Sequence, residues 1–222
     1  LYISQHRGRE KALLDKLKIP CAPYQMVNSL DDLKSAIKSI GVPSILKTAT
    51  DGYDGKGQFL IKSEIQLHEA WEKMSGVESI LEGFINFKRE LSLIAVRGID
   101  GSLAYYPLVE NSHYEGILRL TIAPAQNISE PLQKKAEGYM SSLLNEIKHV
   151  GVLTIELFES DSGLLVNEIA PRVHNSGHWT IEGAKTSQFE NHIRAITESP
   201  LGQTTSTKKF SAMINIIGDY GD

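Results

Sequence analysis

Apolar residues recur at helical spacing in five stretches of the chain, and between them they alternate or cluster as strands do. Residues 4–17 carry Leu13, Leu14 and Leu17 on one face, with Ser4 placed to cap the helix. Residues 30–40 repeat the pattern with Leu30, Leu33, Ile37 and Ile40, ended by Gly41 and Pro43. Further helices are predicted over residues 65–74 and 187–196. A long one is predicted over 129–147, where Leu132, Ala136, Met140, Leu143 and Leu144 form the buried face. Short β-rich runs fall at 44–47, 58–61, 79–82, 90–96, 103–107, 118–123, 151–158 and 164–169. Asp100-Gly101 is a hairpin turn between two of these runs. Residues 24–82 read as a small α+β unit, and the texture after Phe84 is strand-rich. Pro20 and Pro23 break regular structure before that unit. Residues 202–209, rich in Thr and Lys, read as a polar linker.

Composition narrows the class. A chain of 222 residues, 41% hydrophobic and of net charge −4, has the makings of an ordinary globular core. It lacks the basic runs of a nucleic-acid binder, and no apolar stretch approaches a membrane span. The single cysteine, Cys21, excludes an internal disulfide and a cysteine-based metal cluster, and reads as a half-buried filler. The first residues lack the n-region and h-region of a signal peptide, residue 1 is Leu, and the expectation is a cytoplasmic protein whose true start is absent.

Two local features carry chemistry. The second late hairpin has the turn Asp161-Ser162-Gly163, which suits a three-residue loop ending in left-handed Gly. That turn pairs Ser160 with Leu164 and brings Glu156 opposite Glu168, in the apolar settings "LTIELF" and "LLVNEIAP". Facing carboxylates repel. Either one is protonated or paired with an arginine such as Arg172, or a divalent cation lies between them. Hard oxygen ligands suit Mg²⁺, which takes one or two carboxylates plus phosphate oxygens. The other feature is "TATDGYDGKGQ", with Gly52, Gly55 and Gly57 around Lys56 at a strand-to-strand tip. Such a tip is either a plain turn or an anion-binding nest of backbone N–H groups. It is neither a Walker loop nor a G-x-G-x-x-G turn before a helix. Lys47 upstream and the acidic pair downstream favour the nest, and imply a nucleotide held between two domains.

The segments "LKTATDGYDGKGQ", "LEGFINFKRELSLIAVRG", "NSHYEGILRLTIAPAQ", "GVLTIELF" and "LLVNEIAPRVHNSGHWT" resemble the ATP-grasp superfamily. Within it they resemble the branch that carboxylates aminoimidazole ribonucleotide in purine biosynthesis. The resemblance runs from about Arg7 to Gly218. It implies an α+β ATP-grasp fold, two α+β subdomains clamping ATP. Its divisions would be a linker helix (1–20), a lid subdomain with the glycine loop (21–83), a metal and nucleotide subdomain (84–200), and a linker opening a C-terminal segment (201–222). The N-terminal domain and the C-terminal end of the family would then be absent, leaving a core fragment of a homodimeric ligase.

By the same resemblance the substrates are ATP, bicarbonate and aminoimidazole ribonucleotide, joined through carboxyphosphate. Lys47 and the loop Gly52, Tyr53, Asp54, Gly55, Lys56, Gly57 and Gln58 would hold the phosphates, with Tyr53 and Asp54 open to the second substrate. Glu82, Gly83, Phe84 and Ile85 would line the adenine and Glu90 the ribose, with Arg7, His113, Asn167 and Glu168 as further nucleotide contacts. Glu156 and Glu168 would bind Mg²⁺ or Mn²⁺. Arg172, His174 and Asn175 would handle bicarbonate and carboxyphosphate, with His174 as a proton shuttle. Ala170 stands where many members have a third metal-strand ligand, Asn, so water or substrate would replace it. Two rivals remain: a formate-dependent glycinamide ribonucleotide transformylase, expected to read "PRPHDTG" rather than "PRVHNSGHW", and a nucleotide-binding module without turnover. His178 and Trp179 read equally as packing or as substrate contacts.

Overall fold

The structure, a computed structural model, describes residues 2–50, 52 and 57–218. The chain divides into two compact units: Leu1–Phe87 with Leu165–Asn167, and Lys88–Leu164 with Glu168–Asp222.

The first unit opens with helix α1 (Arg7–Lys16), followed by strand β1 (Tyr24–Val27) and helix α2 (Leu30–Ile40). The helix cap is His6, not Ser4: its Nδ1 accepts from the N–H groups of Gly8 and Arg9. An imidazole nitrogen one residue before the helix does what a Ser hydroxyl would do, and no capping preference pointed to it. Strands β2 (Ser44–Thr48) and β3 (Gln58–Ile61), helix α3 (Leu67–Lys73) and strand β4 (Ser79–Gly83) complete the unit. Its antiparallel sheet runs β1-β4-β2-β3. β1 was not expected, because Pro23 hides its start and only Val27 of its four residues is buried. The core joins Val27, Leu46, Ile61 and Leu81 from the sheet to Leu33, Ile37 and Met74.

The second unit is built on a seven-stranded sheet. Its strands are β5 (Arg89–Arg97), β6 (Leu103–Tyr105), β7 (Val109–Tyr114), β8 (Ile117–Ala123), β9 (Gly151–Ser160), β10 (Gly163–Ala170) and β11 (Ser211–Ile214). The order is β10-β9-β5-β7-β8-β11, with β6 pairing β5 beside that path. β7 carries no clear signal in the sequence, because its run "VENSHY" alternates apolar and polar residues only at its start.

Helix α4 (Glu130–Ile147) starts at the expected cap, Ser129, whose hydroxyl accepts from Leu132 N–H. It buries Ala136, Met140, Leu143 and Leu144, as the spacing required. Helices α5 (Thr180–Gly183) and α6 (Gln188–Ile196) follow the "PRVHNSGHW" segment. Trp179, Ala184 and Ala195 pack with Ile94, Val96, Val109 and Val152 on one sheet face. The alternate residues Leu91, Leu93, Leu153, Ile155 and Leu157 are equally dry, which a sheet covered on both faces requires.

The stretch 202–209 is not a loose linker. Lys185 N–H donates to Thr205 O at 2.9 Å, Thr207 N–H to Gly183 O at 2.8 Å, and Thr204 Oγ1 to Tyr105 O at 2.6 Å. Backbone groups and the Thr204 hydroxyl anchor a stretch whose composition reads as a polar linker.

Candidate functional site

In the first unit the expected residues converge on one buried carboxylate. Ile45 pairs with Glu82 across β2 and β4, so Lys47 stands diagonally from Glu82 on the same face. Lys47 Nζ donates to Glu82 Oε2 at 2.8 Å, and Lys11 Nζ lies 3.5 Å from Oε1. Glu82 is 3% exposed and Lys47 9%. Burial pushes the Glu82 carboxyl up, but the charges of Lys47 and Lys11, the Lys47 hydrogen bond and the charge of Arg7 prevail and hold it below the usual range.

Arg7 is the first residue of α1, tethered by its N–H to Ala49 O at 2.9 Å. Gly57 closes the loop with φ +69, and its carbonyl accepts from Thr48 N–H at 2.8 Å. A Cβ there would meet Thr48 Oγ1 at 2.7 Å, so the end of the loop requires glycine. Gln58 pairs with Lys47. Gly83 N–H donates to Pro23 O and Phe84 N–H to Pro43 O, which fixes the backbone of the expected adenine segment; Ile85 follows in irregular chain. Gly52 is also irregular, while Tyr53, Asp54, Gly55 and Lys56 lie outside the described residues.

In the second unit the polar side chains share the end of one sheet face. Glu90 pairs with Phe158 and Ser92 with Glu156 across β5 and β9. Behind them Asn111 donates to Ser92 Oγ at 2.6 Å and accepts from Thr121 Oγ1 at 2.9 Å, all three buried. His113 Nδ1 lies 2.6 Å from Glu90 Oε2. Burial pulls the His113 pKa down, but the hydrogen bond and charge of Glu90, aided by Glu156, raise it overall.

His174 behaves in the opposite way. Its Nδ1 accepts from Ser176 N–H at 3.3 Å and lies 2.8 Å from Ser176 Oγ, and its Nε2 lies 3.4 Å from Glu156 Oε1. Burial, then the charges of Arg172, His113 and His178, lowers its pKa to about 4. At neutral pH the ring is therefore uncharged with its proton on Nε2, aimed at the carboxylate. Gln188, fully buried on α6, brackets this residue: its Oε1 accepts from His174 N–H at 2.9 Å and its Nε2 donates to His174 O at 2.6 Å. Arg172 donates to Val173 O at 2.9 Å, and Asn175 holds a buried Oδ1.

Glu156 on β9 and Glu168 on β10 are half-buried residues of adjacent strands. The donor set is hard oxygen beside an uncharged imidazole, which fits Mg²⁺. Among the described residues no group of three or more His, Cys, Asp or Glu could hold an ion alone. A cation here would draw its remaining ligands from phosphate and water. Asn167, the residue before Glu168, belongs to the first unit and lends its carbonyl to Lys11 Nζ at 3.3 Å.

Lys11, Gln188 and the Ser92–Asn111–Thr121 chain escaped sequence reading. For Gln188 a signal existed: Gln188, Asn191 and Ala195 occupy i, i+3 and i+7, the buried stripe of α6. Trp179 is a core residue, edge-on to Tyr106 with centroids 6.2 Å apart, and His178 stacks on Phe189. No described helix is long and apolar enough to cross a membrane.

Comparison with known proteins gives this geometry a lineage. An ATP-grasp domain matches residues 12–189. A Pseudomonas aeruginosa protein named N5-carboxyaminoimidazole ribonucleotide synthase is 49% identical over 98% of this chain and 59% of its own length. The crystal structure of N5-carboxyaminoimidazole ribonucleotide synthetase from Thermus thermophilus is 50% identical, with TM-score 0.92, over 98% of this chain and 59% of that one. The Aspergillus clavatus N5-carboxyaminoimidazole synthase, in complex with ADP and 5-aminoimidazole ribonucleotide, is 32% identical, with TM-score 0.90, over 99% and 58%. The chain thus spans somewhat over half the length of the relatives it matches. On the residues matched and the architecture shared, the chain belongs to the ATP-grasp family.

Proposed function

We propose that the protein carboxylates the amine of 5-aminoimidazole ribonucleotide with ATP and bicarbonate, giving N5-carboxyaminoimidazole ribonucleotide, ADP and phosphate. The observation that carries this reading is His174 Nε2 at 3.4 Å from Glu156 Oε1, an uncharged hydrogen-bond donor next to a metal-type carboxylate, in the same short run as Arg172 and Asn175. The names of the relatives and the ribonucleotide bound in one of them support the substrate.

In this reading a bicarbonate oxygen attacks the γ-phosphorus of ATP and ADP leaves, which forms carboxyphosphate. The substrate amine then attacks the carboxyl carbon, phosphate leaves with its electron pair, and the amine loses a proton. Phosphoryl transfer of this kind depends on positioning and charge neutralisation. Lys47, Lys56 and the glycine loop place the phosphates. Glu90 and His113 take the ribose side, and the backbone from Glu82 to Ile85 lines the base. Glu156 and Glu168 would hold Mg²⁺, and the ion would supply positive charge to offset that of an incoming anion.

Arg172 offers a planar fork to the bicarbonate or carboxyphosphate group, a geometry that Lys lacks. His174 donates from Nε2, and Ser176 occupies its other nitrogen. In this arrangement it orients Glu156 and the substrate, and proton uptake requires the Ser176 contact to open. A homodimer and a cytoplasmic location accompany the family resemblance.

The test is phosphate release from ATP with Mg²⁺, bicarbonate and aminoimidazole ribonucleotide, each omitted in turn. Release is expected only with all components present. Release that ignores the imidazole substrate would overturn the substrate assignment, and nucleotide binding without release would leave a binding module.

A further inference from the structure

Lys11 lies on α1 and is 1% exposed, and the proposed reaction gives it no task. An ammonium this dry is costly unless anions and carbonyls surround it. Its Nζ finds both, at 3.5 Å from Glu82 Oε1 and 3.3 Å from the Asn167 carbonyl. Glu82 therefore sits between two ammonium groups, with Lys47 on its other oxygen at 2.8 Å. One carboxylate stands against two lysines, and the field of Arg7 reaches the same carboxylate. Such a cluster suits the arrival of an anion.

The two lysines are not equivalent. Lys47 stands on the strand that leads to the glycine loop and is the more exposed. Lys11 has a second anchor in the Asn167 carbonyl, on a separate stretch of chain. We propose that Lys11 is a positioning residue: it is the standing counter-ion of Glu82, and it frees Lys47 to turn from Glu82 to the phosphate oxygens of a nucleotide. The inference rests on the reading of Lys47 as a phosphate ligand. With Lys47 as sole partner, that turn would strand a carboxylate that is 3% exposed. A buried charge left without its partner is far more costly than one that keeps a partner. With Lys11 in place, Glu82 stays compensated in both positions of Lys47.

Calorimetry with Mg²⁺-ADP on the full chain tests this, using wild type, Lys11→Met, Glu82→Gln and the double variant. Lys11→Met is expected to weaken binding at least tenfold, because Lys47 is then retained by Glu82. In turnover the loss falls in KM for ATP rather than in kcat at saturating nucleotide. In the Glu82→Gln background no carboxylate retains Lys47, and adding Lys11→Met changes affinity less than twofold. A tenfold loss in both backgrounds would assign Lys11 a general structural role and overturn the proposal. So would a single variant that binds like wild type. If Lys11→Met does not fold, the comparison of Glu82→Gln with the double variant decides alone, by the same twofold and tenfold outcomes. Wild type that binds no nucleotide overturns the proposed function as well, whereas normal wild-type binding with no Lys11–Glu82 coupling overturns this inference only.

Discussion

His113 Nδ1 lies 2.6 Å from Glu90 Oε2, joining β7 to β5 at the polar end of a sheet face whose other end is apolar core. This contact, against the pull of burial, raises the His113 pKa above its ordinary value. A raised folded pKa adds stability that is complete below the unfolded value of about 6.5 and is lost as pH rises through the folded value. Glu90→Gln should lower the His113 titration midpoint followed by NMR and remove that part of the pH dependence. A midpoint unchanged by the substitution would show that Glu90 does not set it.

His174 should respond with the opposite sign. Its folded pKa of about 4 means that below about 6.5 the unfolded chain takes up a proton that the folded chain refuses. Stability should therefore fall as pH drops from about 6.5 to about 4, by about 3 kcal/mol in all. Urea titrations of wild type and His174→Asn across that window check it: the variant should lose less stability. Parallel curves would contradict a buried neutral imidazole.

Glu168→Gln should abolish Mg²⁺-dependent ATP turnover while leaving the circular dichroism of the fold intact. In the proposed metal site, removing one of two carboxylate charges would leave too little to hold a cation against water. Undiminished turnover would rule out the metal assignment.

Two substitutions in α4 separate local from tertiary stabilisation. Ser129→Ala removes the hydroxyl that accepts from Leu132 N–H and should cost about 1 kcal/mol. Leu144→Ala opens a cavity in a fully buried site and should cost about 2–5 kcal/mol. Denaturant midpoints with unchanged slopes would measure both, and equal costs would contradict the burial.

Much of the molecule could be read from the chain because its signals are local. The periodicity of α2 and α4, the Ser129 cap, the Asp100-Gly101 hairpin and the strands around the glycine loop all follow from residues a few positions apart. The residue types at Glu156, Glu168, Arg172 and His174 are likewise local, and they are what suggests the proposed oxygen-ligand site and anion clamp. The charge states and partners there are different, since they depend on neighbours remote in sequence. Lys47 looked like a phosphate ligand, yet it is Glu82, 35 residues away, that holds it here. Lys11 carries no signal in the chain, and only α1 places it between Glu82 and the Asn167 carbonyl, 156 residues away. His174 reads as a proton shuttle by its type, but that its ring is uncharged in the fold depends on burial and on the charges around it. Sequence alone determined the elements and the kinds of chemical group, because propensity and periodicity act over a turn or two of chain. Only the tertiary structure decided which groups are charged and what each one holds, because desolvation and pairing are set by whatever the fold packs around them.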